Sequence, residues 1–91
     1  MPKYVIESEM PGVGKLSMEE LRAASQHSSS LLNEMGPQIQ WVQSFVTDDK
    51  IYAIYIASDA GIVLEYARQA GLSANRVAEV RAVIDPTTGE N

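Results

Sequence analysis

Lys50-Ile51-Tyr52-Ala53-Ile54-Tyr55-Ile56-Ala57 is the stretch on which the fold turns. It is rich in β-branched and aromatic residues, the composition of a strand. Tyr52, Ile54 and Ile56 point one way, and Ile51, Ala53, Tyr55 and Ala57 point the other. A strand covered on one side alternates apolar and polar residues. This strand is apolar on both sides and therefore asks for cover on both.

Immediately upstream, Asp48-Asp49 supplies a turn, and Ile39 to Thr47 is a second run of β-formers, so the two segments pair. Before them, Gly36-Pro37 is a helix stop: Gly tolerates the left-handed cap and Pro cannot continue the ladder. The helix that ends there has a clear start. Ser17 is placed as N-cap, and Glu20 three residues on can return a bond to the cap's backbone N–H. Leu16 and Leu21 flank them as a hydrophobic staple. Leu21, Ala24, Ser28, Leu31, Leu32 and Met35 lie on one stripe at helical spacing. Earlier still, Tyr4 to Ser8 reads as a first strand, broken by Pro11, Gly12 and Gly14.

Downstream, Ser58 or Asp59 caps a second helix in which Ile62, Val63, Tyr66, Ala67 and Ala70 recur at helical spacing, and Gly71 ends it. A short connection leads to Val77–Ile84, which alternates Val77, Glu79, Arg81 and Val83 with Ala78, Val80, Ala82 and Ile84. Asp85-Pro86 ends this strand. The order is strand, helix, strand, strand, helix, strand, which predicts a ferredoxin-like β-α-β-β-α-β two-layer α+β sandwich: an antiparallel sheet with both helices on one face. Residues 1–86 are expected to form one domain, with 87–91 a polar C-terminal tail. Because the helices cover one face only, the doubly apolar strand predicts a homodimer packed through the other face.

Ninety-one residues leave room for one domain. A chain of this size buries only about two-thirds of its unfolded surface, so association is a natural supplement to stability. The absence of cysteine excludes disulfides, thiolate metal sites and cysteine nucleophiles. The formal charge of −5, with the basic residues scattered, argues against nucleic acid as a partner. The longest apolar run is seven residues, against the roughly 20 that cross a bilayer, and the amino terminus does not read as a signal peptide. No membrane role and a cytoplasmic location are expected.

Gly12-Val13-Gly14-Lys15 has the flavour of a phosphate loop but fails its spacing. Glu9 stands where the first Gly belongs, and Leu16 stands where Ser or Thr would hold magnesium. His27, the single histidine, lies seven residues from Glu20 and from Glu34, about 10.5 Å along a helix, too far for either to share a metal with it. It is a weak metal candidate. Glu7 and Glu79 or Arg81 are expected to face one another on neighbouring strands, where charge inside a covered face must be paired or functional. With Trp41, Gln43 and Tyr55 of the middle strands, they make the expected lining of a small-molecule pocket, Glu7, Trp41, Gln43, Tyr55, Glu79 and Arg81.

Four segments in order, Pro2–Glu7, Gly36–Val42, Thr47–Tyr52 and Ala74–Arg81, resemble a bacterial small-protein family of unknown function sometimes named after nickel-binding relatives. The resemblance spans most of residues 2–86. It implies a ferredoxin-like dimer of the α+β barrel type and makes nickel the cofactor to consider. The chain departs from a histidine-rich nickel site by having His27 alone, on a helix, so no cofactor is expected. The functional expectation is a small homodimeric binding protein with a small-molecule or metal pocket near the sheet. The alternatives are a cofactor-free enzyme of the dimeric α+β barrel type, such as a monooxygenase, cyclase or isomerase, and an interaction module without a pocket.

Overall fold

Four strands and two helices follow the expected order in a computed structural model that describes residues 1–90: β1 (Lys3–Glu9), α1 (Met18–Met35), β2 (Ile39–Val46), β3 (Lys50–Ala57), α2 (Ala60–Ala70) and β4 (Arg76–Glu79). The strands form one antiparallel sheet in the order β2-β3-β1-β4, with β3 and β1 central. Both helices pack on one face, giving the ferredoxin-like α+β sandwich.

Register fixes which residues share a face, because directly paired residues of antiparallel strands point the same way. Towards the helices run the rows Trp41–Tyr55–Tyr4–Glu79, Ser44–Ala53–Ile6–Val77 and Val46–Ile51–Ser8. On the open face run Phe45–Tyr52–Glu7–Arg76, Gln43–Ile54–Val5–Ala78 and Gln40–Ile56–Lys3. The core lies on the helical side: Tyr4, Ile6, Ala53, Tyr55 and Ala57 from the sheet are buried against Leu32, Val63 and Tyr66 from the helices. The double apolarity of β3 thus resolves into a buried helical side and an open side of only partly buried residues.

The local signals at the helix ends hold. Ser17 Oγ accepts from the Glu20 N–H at 3.1 Å, and Glu20 Oε1 accepts from the Ser17 N–H at 3.1 Å, a complete capping box. Of the two possible caps of α2, Asp59 takes the role, accepting from the Ile62 N–H at 3.0 Å. The link from β1 to α1 is more ordered than a bare turn. It contains a 3₁₀ helix, Val13–Lys15, and it is clasped to the β2–β3 turn. The N–H groups of Met10 and Gly14 donate to the carbonyls of Asp49 and Asp48 at 2.8 and 3.0 Å, and the Gly12 N–H donates to Asp49 Oδ1 at 2.9 Å. A Cβ on Gly14 would sit 2.7 Å from the Asp48 Cα, so glycine is required there. The amides that a phosphate loop would offer to an anion are already taken, those of Gly12 and Gly14 by this turn and those of Val13 and Lys15 by carbonyls of their own segment.

Two segments differ from expectation. The first is β2, which is not regular: Trp41 pairs with Tyr55 but Gln43 pairs with Ile54, so a β-bulge intervenes around Val42. The extra residue reverses the facing of everything after it. The second is β4, expected over Val77–Ile84, which spans Arg76–Glu79. The Val80 N–H still donates to the Lys3 carbonyl at 2.7 Å. Beyond that, β1 has run out and Pro2 has no N–H to offer. Residues 81–85 therefore leave the sheet, with Val83 and Ile84 72% and 76% exposed. Within the expected polar tail, Pro86–Gly89 makes a short 3₁₀ helix capped by Asp85.

Ser17→Ala removes one half of the capping box and strands the Glu20 amide. It is expected to lower the unfolding free energy by about 1 kcal/mol, read as a shifted urea midpoint with an unchanged slope.

A crevice between the first helix and the sheet

The face of α1 over the sheet changes character along its length. Its C-terminal half carries Leu31, Leu32 and Met35, which pack into the core. Before them along the helix come Ala24, Ser25 and Ser28, whose side chains are short. The sheet beneath is equally shallow, with Ser8 on β1, Ala53 on β3 and Ser44 on β2. Small residues facing small residues leave a crevice of about 130 Å³ between the two layers. Trp41, Tyr55 and Tyr66 wall it, and Leu21, Ile51 and Leu72 complete its apolar lining.

No charged side chain lines this space. Its polar groups are hydroxyls and one indole N–H. Trp41 Nε1 donates to Ser44 Oγ at 2.9 Å, a contact that the bulge creates. Without the extra residue, positions 41 and 44 would lie on opposite faces of the strand. Ser25 Oγ donates back to the Leu21 carbonyl at 2.9 Å, leaving its lone pairs free to accept. The Tyr55 and Tyr66 rings meet with centroids 5.2 Å apart, tilted by 52°, a favoured aromatic geometry. Burial, reinforced by the neighbouring Tyr66, pushes the Tyr55 phenol far above its ordinary pKa. Tyr55 is thus a neutral hydroxyl at any physiological pH.

Of the six residues expected to line a pocket, Trp41 and Tyr55 are brought together in this crevice. The other four are placed elsewhere. Gln43 is turned to the open face by the bulge, and Glu7 lies on that same open face, paired to Lys50 at 3.7 Å. Glu7 does not face Glu79 or Arg81: its partner on β4 is Arg76, and Glu79 lies opposite Tyr4 on the helical side. Glu79 and Arg81 pair with each other at 3.1 Å, exposed at the β4 edge. Glu79 is three strand spacings from Trp41, about 14 Å. Its charge instead adds to burial in raising the Tyr4 phenol. His27 is exposed on α1. The remaining strongly shifted carboxylate, Glu65, is held down to about 2 by Arg68 and then Gln69, on the outside of α2.

Sequence reasoning passed over Ser8, Ser25 and Ser44 and placed Ser28 only on the packing stripe of α1. The signal was present in α1, where one helical stripe switches from small to large residues between Ser28 and Leu31. A second, wider hollow of about 540 Å³ lies at the C-terminal end of α1, around Ser29, Asn33, Gly36 and Gln40, and is broadly open.

Comparison with known proteins adds three findings. A family model described as "SCO4226-like: Nickel responsive protein SCO4226-like" matches residues 4–80. Among solved structures, the crystal structure of SCO4226 from Streptomyces coelicolor A3(2) superimposes with a TM-score of 0.73 at 19% identity. The match covers 90% of this chain and 99% of that one. At such an identity the likeness shows the shared fold. No curated protein matches the chain.

The raised Tyr55 phenol carries a signed consequence for stability. In the unfolded chain a tyrosine ionises near pH 10, whereas the folded state keeps Tyr55 protonated well above that. Its contribution is complete below pH 10 and is lost as pH rises towards the folded value. Tyr55→Phe is expected to flatten the fall in stability above pH 10, measured by denaturant unfolding at pH 8 to 11. An unaltered alkaline limb would mean that Tyr55 is not buried as described.

Proposed function

The chain belongs to the SCO4226-like family, and from that premise we propose that it is a small homodimeric binding protein whose ligand site lies near the sheet. The observation that carries the binding reading is the uncharged, hydroxyl-bearing crevice under α1. An apolar space with a few placed polar groups is the usual chemistry of a small-molecule site. The same lining speaks for binding rather than turnover. It holds no carboxylate or imidazole, and the Tyr55 phenol is too weak an acid to act as a base at neutral pH.

The homodimer reading is supported by what the helices leave uncovered. Val5, Ile54, Ile56, Tyr52 and Phe45 share the open face, and Phe45 is half exposed. Four strands about 4.8 Å apart and about 20 Å long offer roughly 400 Å² of flat face. That is short of the roughly 800 Å² per partner of a standard interface. The arm beyond β4, with Val83 and Ile84 in water, is the further apolar surface that a second copy would cover. On this reading Glu7, Gln43 and Lys50 lie within or beside the dimer contact, where the Glu7–Lys50 pair compensates charge.

The family's description speaks of nickel. The residues of one chain do not fit a nickel cage: among the described residues no three His, Asp or Glu side chains come together, and His27 has no carboxylate within one turn on its own helix.

Native mass spectrometry of protein purified from its own host, without chelators or an affinity tag, tests the reading. A dimer carrying a retained organic mass is the expected result, and a monomer would overturn the dimer. Ile54→Glu places a charge in the middle of the open face. It is expected to yield a folded monomer, seen by light scattering on a size-exclusion column.

A further inference from the structure

We infer that the crevice under α1 is a binding site for a small, uncharged, single-ring molecule bearing one hydroxyl-like group, of the chemical class of a phenol. The inference rests on the binding reading above and adds the location and the class.

Size comes first. A dry apolar cavity of about 150 Å³ admits benzene, and the space here is about 130 Å³ and meets solvent where its lining residues Ser25 and Val46 are exposed. One six-membered ring fits, with its substituent directed at the mouth; two fused rings do not. The walls select next. Trp41, Tyr55 and Tyr66 line the interior, and an aromatic guest gains offset or edge-to-face contacts with aromatic walls that a water cluster does not.

Charge decides the rest. With no cation, anion or metal among the lining residues, an ionised guest would lose its hydration without compensation. A neutral hydroxyl meets partners instead. Ser44 Oγ already accepts from Trp41 Nε1 at 2.9 Å and retains its own proton to donate. Ser25 Oγ gives its proton to the Leu21 carbonyl and retains lone pairs to accept. One donor and one acceptor therefore line the space, matching a group that both donates and accepts.

The test is a titration of the ¹⁵N-labelled full chain with phenol, 1-naphthol and benzoate, followed by two-dimensional amide NMR. Saturable shifts with phenol at Ser25, Ser28, Ser44 and Ala53 are expected, with no matching response to benzoate or 1-naphthol. Ser28→Leu fills the crevice with a good helix former. It is expected to weaken phenol binding at least tenfold while leaving a dispersed, folded spectrum. Ser25→Leu serves the same purpose from the neighbouring turn should the first variant fail to fold. Unchanged phenol affinity in a folded filled variant would overturn the site, as would shifts confined to the open sheet face. Benzoate shifting the same amides as strongly as phenol would overturn the ligand class and leave the binding reading standing. No response to any probe in a protein that retains an organic mass from its host would overturn this crevice and class alone. The same silence in a protein that retains nothing would overturn the binding reading with it.

Discussion

Water is excluded from one side of β3 by two helices and left in contact with the other, and most of this molecule follows from that asymmetry. Tyr55, Ala53 and Ala57 are buried against α1 and α2, while Tyr52, Ile54 and Ile56 on the reverse side are only partly buried. Each fully buried side chain of the size of Ile6 or Val63 on that side contributes about 1.5–3 kcal/mol, so the helical layer holds the fold together. In a domain that buries so little of its surface, a half-wet apolar strand at the centre of the sheet is the largest unspent source of stability. The open face and the exposed arm beyond β4 are two parts of the same deficit.

What was legible in the sequence was what depends on residues near one another in the chain. Ser17 with Glu20, Gly36 with Pro37, and Asp59 before Ile62 mark helix ends through contacts within one turn, and each stands where it was read. The two faces of β3 follow from strict alternation and were equally plain. The misplacements needed knowledge of a distant strand. Val77–Ile84 alternates without a break, and nothing in it shows that its partner β1 begins only at Lys3. Trp41-Val42-Gln43 contains no glycine to advertise a bulge, so alternation put Gln43 beside Trp41 and overlooked Ser44. The pairing of Glu7 with Glu79 or Arg81 failed for the same reason, by register. All of the expected charged lining, Glu7, Glu79 and Arg81, therefore belongs to the open face or the sheet edge, and the site that exists is uncharged.

The crevice is a consequence of matched omissions. Ser28 on the helix would leave no space if a leucine stood on the strand below, and Ser44 or Ala53 would leave none under a larger helix face. Close packing is the rule in protein interiors, and a gap bounded by short side chains from three strands and a helix departs from it. The hydrogen bond from Trp41 to Ser44 shows how the bulge serves the same end, by turning a hydroxyl inward where alternation would have put a glutamine. The indole N–H thereby finds its partner without a charged group entering the layer.

The clasp between Gly12–Lys15 and the β2–β3 turn carries a consequence for how the chain tolerates change in length. Tight turns joining two strands are ordinarily where insertions are absorbed at little cost. Here the carbonyls of Asp48 and Asp49 hold the segment that launches α1, and Gly14 lies against the Asp48 backbone with no room for a methyl group. A residue added at that turn would be transmitted to the first turn of the helix and so to the roof of the crevice. The hairpin turn that looks most replaceable in the sequence is the one whose length the molecule can least afford to vary.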